Sequence, residues 1–153
     1  DAMPRSLGAA AAWQAERYAQ RMAQLRRLSD DQLAKELRVH QTARWRPQDL
    51  NNHARKHQQA FAEIIGQPLS PEELDELARI VLQSWDRVFT GLTRSGEVWY
   101  ALAEELVQGK GRLVVVSRRG FIRTAMPMRR LADWLDRHPE LVEATERARR
   151  TGG

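Results

Sequence analysis

The chain is predicted to be α+β: N-terminal helices, then a four-stranded antiparallel meander, then a closing C-terminal helix. Two observations carry this expectation. Apolar residues recur at helical spacing as far as Trp85, and after Asp86 the repeat shortens towards two. Beyond that point three short glycine-bearing turns separate four extended segments, the pattern of a hairpin meander.

The elements follow in order. Residues from about Leu7 to Leu28 contain no internal proline and carry Trp13, Tyr18, Met22 and Leu25 among polar neighbours. Ser29 precedes Gln32 by three residues, the spacing of a capping box, and opens a second helix with Leu33, Leu37 and Trp45 inward. Pro47 ends that helix or opens the next. A third helix is expected from about Gln48 to Ile65, with Leu50, Ala54, Phe61, Ile64 and Ile65 as its apolar face and Gly66 and Pro68 as its stop. Ser70-Pro71-Glu72-Glu73 combines a cap, a proline at the first helical position and an acid three residues after the cap, and starts a fourth helix. In that helix Leu74, Leu77, Ala78, Val81, Leu82 and Trp85 recur on one side.

The extended segments are Arg87 to Thr93, Glu97 to Leu106, the run around Leu113-Val114-Val115-Val116, and Phe121 to Met126. The turns between them are Arg94-Ser95-Gly96, Gly109-Lys110-Gly111 and Arg118-Arg119-Gly120. Val98, Tyr100 and Leu102 share one side of the second strand. Pro127 is expected to end the sheet. One or two amphipathic helices then run through Leu131, Trp134, Leu135 and Leu141. Trp85, Trp99 and Trp134 are expected in the core, and Tyr100 there or stacked on a base.

A length of 153 residues suits one compact domain. Residues 1–46 read as a helical lead-in to an α+β domain spanning 47–153, or the whole chain 1–153 is one continuous domain. Cysteine is absent, which excludes disulfides, thiolate metal sites and cysteine nucleophiles. No apolar run approaches the roughly 20 residues needed to span a bilayer, and the alanine-rich start does not read as a signal peptide. The chain opens at Asp1 and closes on Thr151-Gly152-Gly153, like an excised piece of something longer or the product of cloning. Its net charge of +5 is unevenly spread. Eleven cations stand against six carboxylates over 1–57, three against nine over 58–108, and eleven against five over 109–153. A positive face of this kind attracts polyanions, nucleic acid foremost.

His53, Ala54, Arg55, Lys56 and His57 concentrate the chemistry. Two histidines at i and i+4 share a helix face, and Lys56 is nearer that face than Arg55. A zinc protease would need a glutamate directly after the first histidine, and Ala54 stands there. No metal and no cofactor are expected, and the phosphate-loop and dinucleotide fingerprints are absent. Cleavage of RNA by its own 2′-hydroxyl suits the residues better, because it needs a base, an acid and cations on the phosphate. Phosphate donors are expected on the strand end Phe121-Ile122-Arg123-Thr124-Ala125. Strict alternation lets only one of Arg123 and Thr124 face the site unless a bulge intervenes. His40 and His138 read as surface or capping residues.

The run His53-Ala-Arg-Lys-His57, the strand Gly111-Arg-Leu-Val-Val-Val-Ser117 and the segment Arg119-Gly-Phe-Ile-Arg-Thr-Ala125 come in an order that resembles the barnase–EndoU–colicin–RelE (BECR) nucleases. The similarity is to their phage-associated and polymorphic-toxin branches, and it covers about residues 48–137. It implies a metal-independent ribonuclease, often directed at transfer RNA, that serves as a toxin domain in interbacterial competition and is neutralised by an immunity protein. A secreted or delivered effector acting in the target-cell cytoplasm would follow. The resemblance points to His53, His57, Arg123 and Thr124 as catalytic residues. Ser117 joins Lys56, Arg118 and Arg119 as expected substrate contacts. Two other readings fit the same features: a noncatalytic nucleic-acid- or protein-binding domain of phage origin, and a toxin of different chemistry such as an ADP-ribosyltransferase.

Overall fold

The structure, a computed structural model, describes residues 5–106 and 111–150. It is α+β. Five helices come first: α1 (Arg5–Arg27), α2 (Asp30–Gln41), α3 (Pro47–Lys56), α4 (Gln58–Ile65) and α5 (Pro71–Ser84). The meander follows as β1 (Arg87–Leu92), β2 (Val98–Glu105), β3 (Arg112–Arg118) and β4 (Phe121–Met128). The chain then forms α6 (Leu131–Asp136), β5 (Val142–Glu143) and α7 (Thr145–Arg150). The sheet is antiparallel in the order β4-β3-β2-β1-β5.

Local signals set the helix starts. Ser29 caps α2, accepting from the Gln32 amide at 3.1 Å while the Gln32 side chain accepts from the Ser29 amide at 2.8 Å. Ser70 and Glu73 repeat this at α5, with Pro71 in the first turn. Pro47 opens α3.

Four expectations need correction. The helix expected from Gln48 to Ile65 is two helices, broken at His57, whose backbone sits at φ −108°, ψ 17°. The break re-aims the chain so that α3 packs on α5 and β4 while α4 lays Phe61 fully into the core. No proline or glycine marks it. Secondly, α2 ends at Gln41, so Trp45 is buried from an extended link and not from the helix. That link pairs in parallel with β4: the Arg44 amide donates to Gly120 O at 3.2 Å, and the Ile122 amide to Arg44 O at 2.9 Å. Thirdly, Pro127 lies inside β4 opposite Leu113. This strand is an edge, where a missing amide need not interrupt a ladder. Finally, β5 adds a fifth strand, too short to leave a periodic pattern, pairing Val142 with Thr90 and Glu143 with Phe89.

Two of the three expected turns are formed. Gly96 turns β1 into β2 at φ 85°. The two-residue turn Arg119-Gly120 has both residues left-handed (φ 56° and 77°), the conformation that matches strand twist in a tight hairpin. The turn expected at Gly109-Lys110-Gly111 lies outside the described residues except for Gly111.

The sheet separates two apolar layers. On one face Val88, Tyr100, Leu102, Leu113, Val115, Ile122 and Ala125 pack against Leu37, Phe61, Leu74, Ala78, Val81 and Leu82 from the helices. On the other Phe89, Ala101, Ala103, Val114 and Val116 pack beneath Leu131 and Trp134 of α6. Each large side chain so buried contributes about 1.5–3 kcal/mol. Trp85 and Trp134 are core residues, and Trp99 is half-buried. Among the described residues no helix is long and apolar enough to cross a membrane.

Candidate active site

The chemistry gathers where α3 lies against the edge strand β4. Because α3 starts at Pro47, His53 falls one turn after Asp49, and its Nδ1 lies 3.1 Å from the Asp49 carbonyl oxygen. A carbonyl only accepts, so Nδ1 carries the proton. In the neutral ring Nε2 is then an acceptor, and it receives the hydroxyl of Thr124 at 2.9 Å. Trp45 holds the same imidazole from another side, ring centroids 5.2 Å apart and tilted by 52°. The ring is thus oriented by three partners drawn from a helix, a link and a strand.

His57 sits at the break between α3 and α4, its ring centroid 5.5 Å from that of His53 and 6.4 Å from that of Phe61. Partial burial pulls its pKa below the ordinary histidine value, and the neighbouring His53 and Lys56 pull in the same direction. Lys56 ends α3, exposed. Arg44 and Arg46 are exposed on the link leading into α3, and the Arg46 guanidinium lies 4.3 Å over the Phe121 ring. Among the described residues Arg44, Arg46 and Lys56 form no ion pair, so their charge is free to meet an anion.

Four expected site residues therefore come together or adjoin one another: His53, His57, Thr124 and Lys56. The other four do not join them. Ser117 is completely buried, its hydroxyl 3.0 Å from His40 Nδ1, so it faces the core and not a ligand. Arg123 lies on the other side of the strand from Thr124, and a register shift leaves it unpaired: Val116 pairs with Thr124 and Ser117 with Ile122, with Arg123 the extra residue. Its side chain lines a cleft on the opposite face with Thr93, Trp99, Val116 and Arg118. Arg119 in the hairpin turn is ion-paired with Glu97, and Arg118 Nε lies 3.9 Å from the same carboxylate.

Trp45, Arg44, Arg46 and the Asp49 carbonyl were not foreseen. The interleaved run Arg44-Trp45-Arg46 was the available signal, an aromatic between two cations just before a helix. His40 also differs from expectation. It is buried, stacked on Tyr100 with centroids 4.5 Å apart, and burial lowers its pKa from 6.5 to about 4. It adjoins a polar cluster in which Tyr100 donates to Glu36 at 2.7 Å and Arg21 to Thr90 at 3.0 Å. Burial, then Glu36, raises the Tyr100 phenol well above its usual range. This cluster ties α1 and α2 to the sheet. His138 is half-buried against Trp134, with Glu140 3.3 Å from its Nδ1.

Among the described residues no group of three or more His, Asp or Glu side chains is placed to hold a metal ion. No family model, curated protein or solved structure matches this chain.

Proposed function

We propose that this domain is a metal-independent ribonuclease that cleaves RNA by attack of the substrate's own 2′-hydroxyl. The observation that carries the reading is the hydrogen bond between His53 Nε2 and Thr124, with the far side of the ring fixed on the Asp49 carbonyl. An imidazole so held offers a basic nitrogen at one defined point, and the hydroxyl partner marks where a substrate hydroxyl would lie. In the reaction His53 takes the 2′-hydroxyl proton as the O2′–P bond forms. The P–O5′ bond breaks, and His57 gives its proton to the departing 5′-oxygen. The products are a 2′,3′-cyclic phosphate and a 5′-hydroxyl. Lys56, Arg44 and Arg46 supply the positive potential that draws the phosphate in and stabilises its developing charge.

With this activity the domain would serve as a toxin, transfer RNA its favoured substrate, delivered into a target cell and restrained by an acidic immunity protein that covers the positive face. The test is incubation with total RNA in EDTA. Fragments ending in cyclic phosphate are expected from the wild type and not from His53→Ala or His57→Ala. Undiminished cleavage by both variants would overturn the site, and intact RNA throughout would favour a noncatalytic binding domain.

A further inference from the structure

The cleft on the far side of β4 has a composition that the reaction at His53 does not use. It is an open groove of about 180 Å³ lined by Thr93, Trp99, Val116, Arg118 and Arg123. Trp99 offers a half-buried indole beside an apolar floor of Val116. Arg123 is exposed and forms no ion pair among the described residues. Arg118 Nε is buried without a hydrogen-bond partner, a state rare enough in folded proteins to call for an explanation. Glu97 is the nearby acid; Arg119 engages it directly, and Arg118 Nε reaches it only at 3.9 Å, beyond hydrogen-bond distance. Two guanidinium groups beside an indole match the two halves of a nucleotide, the phosphate and the base.

We propose that this cleft binds a nucleotide, its base stacked on Trp99 and its phosphate held between Arg118 and Arg123. Two sources share that chemistry: a free nucleotide, and one residue of an RNA strand. Arg123 and Thr124 are consecutive, so their Cα atoms stand about 3.8 Å apart and the cleft and the His53 site lie on either side of one strand. Among the described residues no strand pairs with β4 outside Arg123 or Thr124, because the link from Arg44 pairs only at Phe121. A single strand can therefore cross this edge with one phosphate at His53 and a neighbouring nucleotide in the cleft. This RNA version rests on the ribonuclease reading, whereas nucleotide binding by itself does not.

The experiment measures binding without cleavage. A single-stranded oligonucleotide carrying 2′-O-methyl groups throughout, with one 2-aminopurine, is titrated at several salt concentrations against wild type, Arg123→Ala, Trp99→Leu and Trp99→Phe. Adenosine monophosphate is titrated in parallel. Arg123→Ala is expected to weaken oligonucleotide binding about tenfold and to flatten the slope of log K against log salt by about 0.7, the value for one lost phosphate contact on a single strand. Quenching of 2-aminopurine should vanish in Trp99→Leu and persist in Trp99→Phe. If Trp99→Leu does not fold, the exposed Arg123 still decides the matter. Wild-type affinity and slope in Arg123→Ala would overturn the proposal. Equal affinity for the monophosphate and the oligonucleotide, lost in Arg123→Ala, would support the cleft as a site for free nucleotides and overturn the crossing strand. Arg123-dependent binding by a protein that leaves natural RNA intact would uphold the cleft while overturning the ribonuclease reading.

Discussion

His53 Nε2 lies 2.9 Å from the Thr124 hydroxyl, joining a helix to a strand 71 residues further along the chain. The pair works in either protonation state: the neutral ring accepts from the hydroxyl, and the charged ring donates to it. Removing the imidazole removes a proton acceptor, whereas removing the hydroxyl only loosens the ring. His53→Ala should therefore lower kcat/KM for RNA cleavage by at least about 100-fold, and Thr124→Val by about tenfold. Both variants should melt close to the wild type. Equal losses from the two would assign Thr124 a direct part in the reaction.

The pH dependence follows from His57. Burial, His53 and Lys56 all lower its pKa, so its proton is lost at a lower pH than an ordinary histidine would lose it. An acid must be protonated to act, so kcat/KM falls as pH rises through that pKa. Lys56→Gln removes one of the lowering influences and should carry this basic limb to higher pH. A limb that stays in place, or moves down, would remove His57 from the role of acid.

Why some of this was legible follows from the range of the forces. The capping boxes at Ser29 and Ser70 are made within four residues, so the sequence spells them out. The change of period at Asp86 is likewise local. The break at His57 is imposed by packing, since Phe61 must reach the core while α3 follows α5 and β4. Whether Pro127 may sit in a strand depends on that strand being an edge, a property of the whole sheet. Alternation along the strand already sets Arg123 and Thr124 on opposite sides, whereas the register shift at Val116 that leaves Arg123 unpaired is recorded by no period in the sequence. His40 looked exposed because a histidine amid Arg38, Val39 and Gln41 carries no sign of the serine 77 residues away that receives it.

Burial of His40 makes stability depend on pH. Its pKa is about 4 in the fold against 6.5 for an ordinary histidine, with Glu36 and Ser117 opposing burial and Arg21 adding to it. Between those values the unfolded chain binds a proton that the native protein does not. Stability attributable to His40 is therefore complete above about pH 6.5 and is lost as pH falls towards 4, by about 3 kcal/mol. His40→Phe keeps the stacking on Tyr100 and abolishes the titration. Its unfolding free energy should be lower than that of the wild type at pH 7.5, yet change less between pH 7.5 and 4.5. Parallel pH curves for the two proteins would mean that His40 is not the titrating group.

Arg21 is almost wholly buried on α1, with Nε on Thr90 at 3.0 Å and an ion pair to Glu36 of α2. Tyr100 donates to that same carboxylate. Glu36→Leu strands the buried Arg21 charge and should cost about 3 kcal/mol, whereas Arg21→Met leaves Glu36 part-exposed and still bonded to Tyr100 and should cost less. The double variant leaves no orphan charge and should cost much less than the sum. Denaturant unfolding of the four proteins gives the coupling directly. Additive losses would mean that water, and not Arg21, balances Glu36.

Gly111 joins the sheet to the helical layer at a point where no other residue fits. It holds φ at 155°, and a Cβ there would stand 2.6 Å from the Met128 carbonyl oxygen and 3.0 Å from Ile64 Cγ2. The obstacle at Met128 is backbone of β4, which cannot rotate aside as a side chain can. Gly111 also accepts the Leu106 amide at 2.8 Å, so a shift to relieve the clash would strain the closure between β2 and β3. Gly120 is the control: it is left-handed too, at φ 77°, but a Cβ there meets nothing within 4 Å. Gly120→Ala should therefore cost only the conformational penalty, about 1 kcal/mol. Gly111→Ala adds overpacking to it and should cost about 3 kcal/mol, visible as a lower urea midpoint with an unchanged slope. Equal midpoints for the two variants would mean that β4 moves freely away from Gly111, and that the contact between α4 and the end of the strand is looser than its geometry implies.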